Sequence, residues 1–274
     1  MTQRPVAVVT GTTTGIGRHL ALRLAGTGWH VISINRRAGV GDDARLVDLT
    51  DTAHLAHTAR AIARDYPRVG LLVNNAALML GDYQYTENGD ETHFAVNTLA
   101  PFVLMQALRA ALARAGNGRI VNLVSAVVYE TDACASEVAQ LANPTLPFVP
   151  VFGPYARSKR ALAALGLALQ AVYAGDGIRI SGVDPGSCRT PMTLGNGMPW
   201  RLLLKNFVRM RTPASAAREL VTMIDEGGPP AGIVSAGCQL APPPLLDKRY
   251  QLGVLALCSA RADALPPMSI PAAG

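Results

Sequence analysis

Apolar residues fall in short runs whose period changes along the chain. "PVAVVTG" (5–11) is an uninterrupted β-branched run closed by glycine and predicts a buried strand. "GIGRHLALRLAGTG" (15–28) shifts to helical spacing and stops on Gly26 and Gly28. The alternation continues. Strands are predicted at 30–35, 44–49, 69–77, 118–126, 178–186 and 232–236, and helices at 51–66, capped by Asp51, and at 91–116, 155–174 and 213–228. Strands that alternate with helices imply a parallel sheet covered on both faces. Right-handed crossovers then give a doubly wound, Rossmann-like α/β sheet. With 274 residues, one large domain is expected over 1–274. Two additions depart from the alternation. A proline-bearing segment, 129–154, separates the fifth strand from the following helix. From 229 onward the chain is proline-rich and reads as an extension laid over the core with a disordered tail.

Composition narrows the function. Hydrophobic residues make up 49% and charged residues 16%, which excludes a disordered chain. The net charge of +6 raises nucleic acid or an anionic membrane as partners. The basic residues are scattered and do not alternate with aromatics, which argues against nucleic acid. No uncharged run reaches the roughly 20 residues of a membrane span, and the N-terminus lacks a signal-peptide pattern. Cys134, Cys188, Cys238 and Cys258 form no C-x-x-C pair, and His54 and His57 have no third ligand nearby. No metal is expected, and a reducing, cytoplasmic setting fits. "ALAALGLALQAVY" (161–173) is apolar almost all round, which predicts burial in a homo-oligomer or under the C-terminal extension.

The chemistry begins at "TGTTTGIG" (10–17), between the first strand and first helix. Gly11 suits the tight turn. Gly15 and Gly17 permit close backbone approach, and the helix N-terminus offers free N–H groups to a pyrophosphate. A tight turn with no ligand is the alternative. Tyr155 and Lys159 lie four residues apart in "VFGPYARSKRAL" and so share a helix face. Alone, that spacing is common on helix surfaces.

In order, "TGTTTGIG", "NNAA" (74–77), Asn97 in "FAVNTLAPF", Ser125, Tyr155, Lys159 and "DPGSCRTPM" (184–192) resemble the landmarks of the short-chain dehydrogenase/reductase family. Ala77 stands where the family's N-N-A-G has glycine. The long 129–154 segment and "RTPASAARELV" (211–221) are similar to the branch of retinol dehydrogenases and protochlorophyllide reductases. The resemblance implies Tyr155 as the acid in carbonyl reduction and base in alcohol oxidation. It implies Lys159 on the nicotinamide ribose and lowering the tyrosine pKa, Ser125 on the substrate oxygen, and Asn97 in a water-linked proton path. It also implies a dinucleotide held by Gly11, Thr13, Thr14, Gly15, Ile16, Gly17, Asn35, Arg36, Arg37, Asp48, Leu49, Asn75, Ala76, Tyr155, Lys159, Pro185, Gly186 and Thr190. Where NAD-preferring members carry an acid after the second strand, this chain reads Asn35-Arg36-Arg37, which favours NADP(H). A solvated arginine pair is the alternative. The substrate is expected to be a small, apolar ketone, aldehyde or alcohol. Met192, Met198, Trp200, Leu202, Leu203 and Phe207 are candidates for its apolar wall, with Gly195 and Gly197 letting that stretch close. A non-redox epimerase, dehydratase or cyclase, or a dinucleotide-sensing regulator, remains open at this point.

Overall fold

A computed structural model describes residues 4–129, 138–235, 238–240 and 247–263. Its centre is an eight-stranded sheet in the order β3-β2-β1-β4-β5-β6-β7-β8. The strands are β1 (Val6–Thr10), β2 (His30–Asn35), β3 (Asp43–Leu46), β4 (Leu71–Asn74), β5 (Arg119–Leu123), β6 (Arg179–Asp184), β7 (Gly232–Ser235) and β8 (Cys238–Leu240). All neighbours are parallel except β7 and β8. β1 and β4 are buried along their whole length, as their unbroken apolar runs demand of strands covered on both faces.

The strand order reverses between β1 and β4. Ligands of open α/β sheets bind outside the strand C-termini at such a point, and here the glycine turn after β1 meets the "NNAA" segment after β4.

Two layers of helix cover the sheet. On one face α1 (Gly15–Gly26) packs beside α8 (Pro213–Asp225), burying Leu20, Leu24, Leu220, Val221 and Ile224. The other face carries α2 (Thr52–Asp65), α4 (Ala100–Arg114) and α6 (Pro154–Gly175) over Leu55, Ile62, Leu104, Leu108, Leu162 and Leu165. Local chemistry sets the helix starts. Asp51 caps α2 by accepting from His54 N at 2.9 Å. Thr212 caps α8 by accepting from Ser215 N, and Pro213 occupies the first turn where its missing N–H costs nothing.

The structure corrects the sequence reading in three places. The helix expected over 91–116 is built as α3 (Thr92–Phe94), a π-helical turn (Ala95–Leu99) and α4. Helix-period patterning does not register the extra residue of such a turn, which often marks a functional site. The whole stretch Thr92–Arg114 is long and apolar enough to cross a membrane, but 78% of its most apolar window is buried in the protein, as in a core helix. Second, the third strand ends at Leu46, so Asp48 and Leu49 lie in the loop beyond it. Third, the C-terminal extension contains β8 and the 16-residue helix α9 (Lys248–Asp263). Tyr250, Val254 and Cys258 recur every four residues and bury this helix against α6. Residues 161–165 of α6 are thereby buried within one chain. The expected cover within the chain is thus seen over 161–165, while Ala171 and Val172 further along the stretch are exposed. Residues 264–274, including the expected disordered tail, lie outside the described residues, as do residues 130–137 with Cys134.

Candidate active site

One cavity of about 1040 Å³ runs along the C-terminal ends of the strands. It brings together every residue assigned above to the dinucleotide, from Gly11 in the glycine turn through Tyr155 and Lys159 to Thr190 beyond β6, and adds Ser125. Asn97 is absent from its lining.

The glycine turn is built to be narrow. Gly11 has φ +74°, and a Cβ there would lie 2.9 Å from Ala76 Cα. At Gly17 a Cβ would lie 2.2 Å from Gly11 O. Asn75 and Thr10 fasten the turn to the strand behind it. Asn75 Nδ2 donates to Thr10 O at 2.8 Å, while Thr10 Oγ1 accepts from Ala76 N at 2.9 Å. Thr14, the residue before α1, gives no side-chain cap to the helix, so the first-turn N–H groups stay available to an anion. These features fit a pyrophosphate.

Asn35 faces inward. Its Oδ1 accepts from Thr12 N at 2.6 Å and its Nδ2 donates to Thr12 Oγ1 at 3.1 Å. It therefore braces the glycine turn, and the exposed Arg36 and Arg37 are left at the cavity edge. Among the described residues neither guanidinium has an ion-pair partner. Asp48 also lines the edge, its Oδ1 accepting from Thr50 N and Oγ1.

Tyr155 and Lys159 project from the first turns of α6, one turn apart, and are 8% and 3% exposed. The Ser125 side chain lies beside the Tyr155 hydroxyl. Burial pushes the tyrosine pKa up to about 12, with Ser125 pulling down and the Asp184 charge pushing up. Lys159 Nζ donates to Leu123 O at 2.7 Å, and burial pulls its pKa down to about 8. The lysine is turned to β5, and desolvation dominates both groups.

Asn97 sits in the π-helical turn and is fully buried. Its Oδ1 accepts from Leu78 N at 2.9 Å, and its Nδ2 donates to Leu78 O and to Ser158 Oγ, each at 3.0 Å. It ties the segment after β4 to α6 and does not reach the cavity. Thr190 and Thr193 brace the turn after β6 through mutual side-chain bonds.

Two features escaped sequence reading. Glu91 and His93 form a buried pair, with His93 Nδ1 2.6 Å from Glu91 Oε1. His93 Nε2 accepts from Leu80 N at 2.9 Å, so Nδ1 carries the ring proton and donates to Glu91. Glu91 Oε2 also caps α3 through Phe94 N. Leu78 and Leu80, both in the cavity wall, are thus held by Asn97 and His93. An acid two residues before a histidine at a helix start is the signal that could have found this. Val151 is the second feature. Its φ of 65° is sparsely populated by a β-branched residue, and it packs with Tyr155 at the cavity.

The apolar wall is narrower than expected. Met192, Met198, Leu202 and Leu203 line the cavity, joined by Met79, Val127 and Met210. Trp200 and Phe207 do not; they are 68% and 42% exposed. Residues 200–206 form helix α7, and its rotation turns Leu202 and Leu203 inward and Trp200 outward. Gly197 marks close contact: a Cβ there would lie 2.3 Å from Met79 O.

An eight-stranded, parallel-dominated sheet with this site at its switch point is a Rossmann-like, doubly wound architecture. A short chain dehydrogenase family model matches residues 5–136. The chain is 36% identical over 209 residues to polyprenol dehydrogenase of Mus musculus (68% of this chain, 61% of that protein). It is 30% identical over 237 residues to polyprenol dehydrogenase of Danio rerio (77% and 71%). Similarity to retinol dehydrogenase 11 of Mus musculus is 29% over 256 residues (86% and 78%). The chain spans only 61% and 43% of mouse polyprenol dehydrogenase and bovine retinol dehydrogenase 12. Among solved structures, a short-chain dehydrogenase from Streptomyces avermitilis matches with a TM-score of 0.65 at 23% identity, covering 96% of this chain and 95% of that one. A short-chain dehydrogenase from Sphingobium yanoikuyae in complex with NADPH matches with a TM-score of 0.63 at 21% identity, covering 98% and 100%. The chain belongs to the short-chain dehydrogenase/reductase family, in its retinol dehydrogenase branch.

Proposed function

We propose that this protein is an NADPH-dependent reductase of an apolar ketone or aldehyde, able to run in reverse on the alcohol, with Tyr155 as the acid–base residue. The observation that carries the reading is the single cavity. One end holds the glycine turn, the α1 N-terminus and the unpaired Arg36 and Arg37; the other joins Ser125 and Tyr155 to a wall of methionines and leucines. The relatives' names, polyprenol and retinol dehydrogenase, point to long isoprenoid alcohols and their aldehydes as substrates.

The chain's residues divide the work. Arg36 and Arg37 suit a 2′-phosphate through charge-assisted hydrogen bonds, with no acid at Asn35 to repel it. The nicotinamide, when bound, supplies the hydride for reduction. Ser125 and Tyr155 donate hydrogen bonds to the carbonyl oxygen, and Tyr155 passes it a proton. Burial keeps the tyrosine protonated near neutral pH, which suits the acid role. Lys159 holds the ribose hydroxyls, and its ammonium stabilises the phenolate left after proton transfer. The cavity's apolar walls limit water around the reacting carbon.

Intact Tyr155 and Lys159 disfavour a regulator that only senses dinucleotide. The test is kcat/KM with NADPH and with NADH on a panel of aldehydes and ketones that includes retinal and a short polyprenal. Consumption of NADPH at a higher kcat/KM than NADH supports the reading. An NADH preference overturns the cofactor assignment, and NADPH binding with no oxidation on the panel overturns the redox assignment.

A further inference from the structure

The exposed side of α7 is not explained by the cavity. Trp200, Leu204 and Val208 recur every four residues and are 68%, 72% and 88% exposed. Arg201, Lys205 and Arg209 recur one position later and are also exposed. An apolar row beside a basic row, across α7 and the 3₁₀ turn that follows it (Phe207–Arg209), is the pattern of a helix lying in a bilayer interface. Monomeric surfaces rarely leave several large apolar side chains this open together.

Charge decides the partner. From 185 to 218 the chain has six basic residues and no Asp or Glu. Arg211 is spent on Glu219 at 2.5 Å. The other five carry a local positive field with no acid in the same stretch. Arg201 lies over the Trp200 ring at 5.3 Å, and Arg189 over the Phe207 ring at 4.6 Å. Cations stacked on aromatic rings at an apolar surface match the headgroup level of a membrane, where aromatics and basic side chains anchor proteins.

We propose that α7 and the turn after it dock this protein on an anionic phospholipid surface. The inward face of the same helix carries Leu202 and Leu203 into the cavity wall, so docking sets the cavity mouth against the bilayer. Entry of an apolar substrate from the lipid rather than from water follows, and that consequence, unlike docking itself, rests on the reductase reading above.

The experiment uses the full chain with phosphatidylcholine vesicles, with and without phosphatidylserine. Sedimentation measures partition, and Trp200 reports locally, since the other tryptophan, Trp29, is 7% exposed. Expected are sedimentation and a blue shift with phosphatidylserine only, both weakened by salt. The variant L204S/V208S should lower partition by at least about tenfold. The charge variant R201Q/K205Q/R209Q, which keeps the apolar row, should lower it by roughly a hundredfold. Circular dichroism checks that each variant folds; if the serine variant does not, the charge variant decides. Wild-type protein that stays in solution with phosphatidylserine vesicles overturns the proposal, as does equal binding by folded variants. A blue shift that grows with protein concentration without vesicles also overturns it, pointing to a second copy on this face. Docking without NADPH turnover would leave this proposal standing and remove the reductase reading.

Discussion

Replacing Lys159 with methionine should separate what this side chain does for the fold from what it does for the cofactor. The ammonium is 3% exposed, and burial lowers its pKa from 10.5 to about 8. That fall corresponds to roughly 3 kcal/mol against the charged form; the bond to Leu123 O gives back about 1 kcal/mol. Between about pH 8 and 10.5 the unfolded chain holds more proton than the folded one, so the lysine's penalty is present below about pH 8 and relieved as pH rises through this window. Lys159→Met has no proton to lose. The stability of wild type should therefore climb relative to the variant by roughly 3 kcal/mol across the window. Urea unfolding followed by circular dichroism at a series of pH values measures it, and other titrating groups cancel in the difference. The kcat/KM for NADPH reports the free enzyme. It should fall in wild type above about pH 8 and be low and flat in the variant. A stability difference that does not change with pH, or a variant with wild-type use of NADPH, would refute the reasoning.

Arg36→Ala with Arg37→Ala should lower kcat/KM for NADPH by roughly tenfold to a hundredfold, as expected for charged hydrogen bonds at a partly exposed edge, and leave NADH nearly unchanged; steady-state kinetics with both cofactors checks it. His93→Leu leaves Leu80 N without its acceptor and the Glu91 carboxylate buried without its donor. It should cost about 2–4 kcal/mol in urea unfolding and raise KM for the carbonyl substrate far more than KM for NADPH. Asn97→Asp keeps an acceptor for Leu78 N but loses the two Nδ2 bonds, and should lower the melting temperature and turnover while leaving NADPH affinity within about twofold.

The sheet and its helices were legible because a parallel strand buried on both faces must be apolar throughout, as in β1 and β4, and because glycine and capping residues punctuate the helices. The glycine turn was legible for a related reason: positive φ and close backbone approach constrain the sequence at the turn itself, in Gly11, Gly15 and Gly17. What stayed hidden depends on through-space contact. Asn35 and Asn97 are polar residues at the expected positions, yet their side chains serve neighbouring backbone at Thr12 and Leu78. Lys159 and Tyr155 share a helix face, but burial, which no spacing reveals, decides their proton affinities. The prolines after 229 masked the helix α9, whose buried row of Tyr250, Val254 and Cys258 was present in the sequence. That row packs α9 against α6.

The central claim is that Tyr155 delivers the proton in a nicotinamide-dependent carbonyl reduction. Single-turnover oxidation of NADPH by an excess of apolar aldehyde, in wild type and Tyr155→Phe, tests it most directly. Phenylalanine keeps the ring that packs with Val151 and Met79 and removes only the hydroxyl beside Ser125. The account predicts NADPH affinity within about twofold of wild type and a hydride-transfer rate lower by at least roughly a hundredfold. A Tyr155→Phe protein that oxidises NADPH at near the wild-type rate would contradict it.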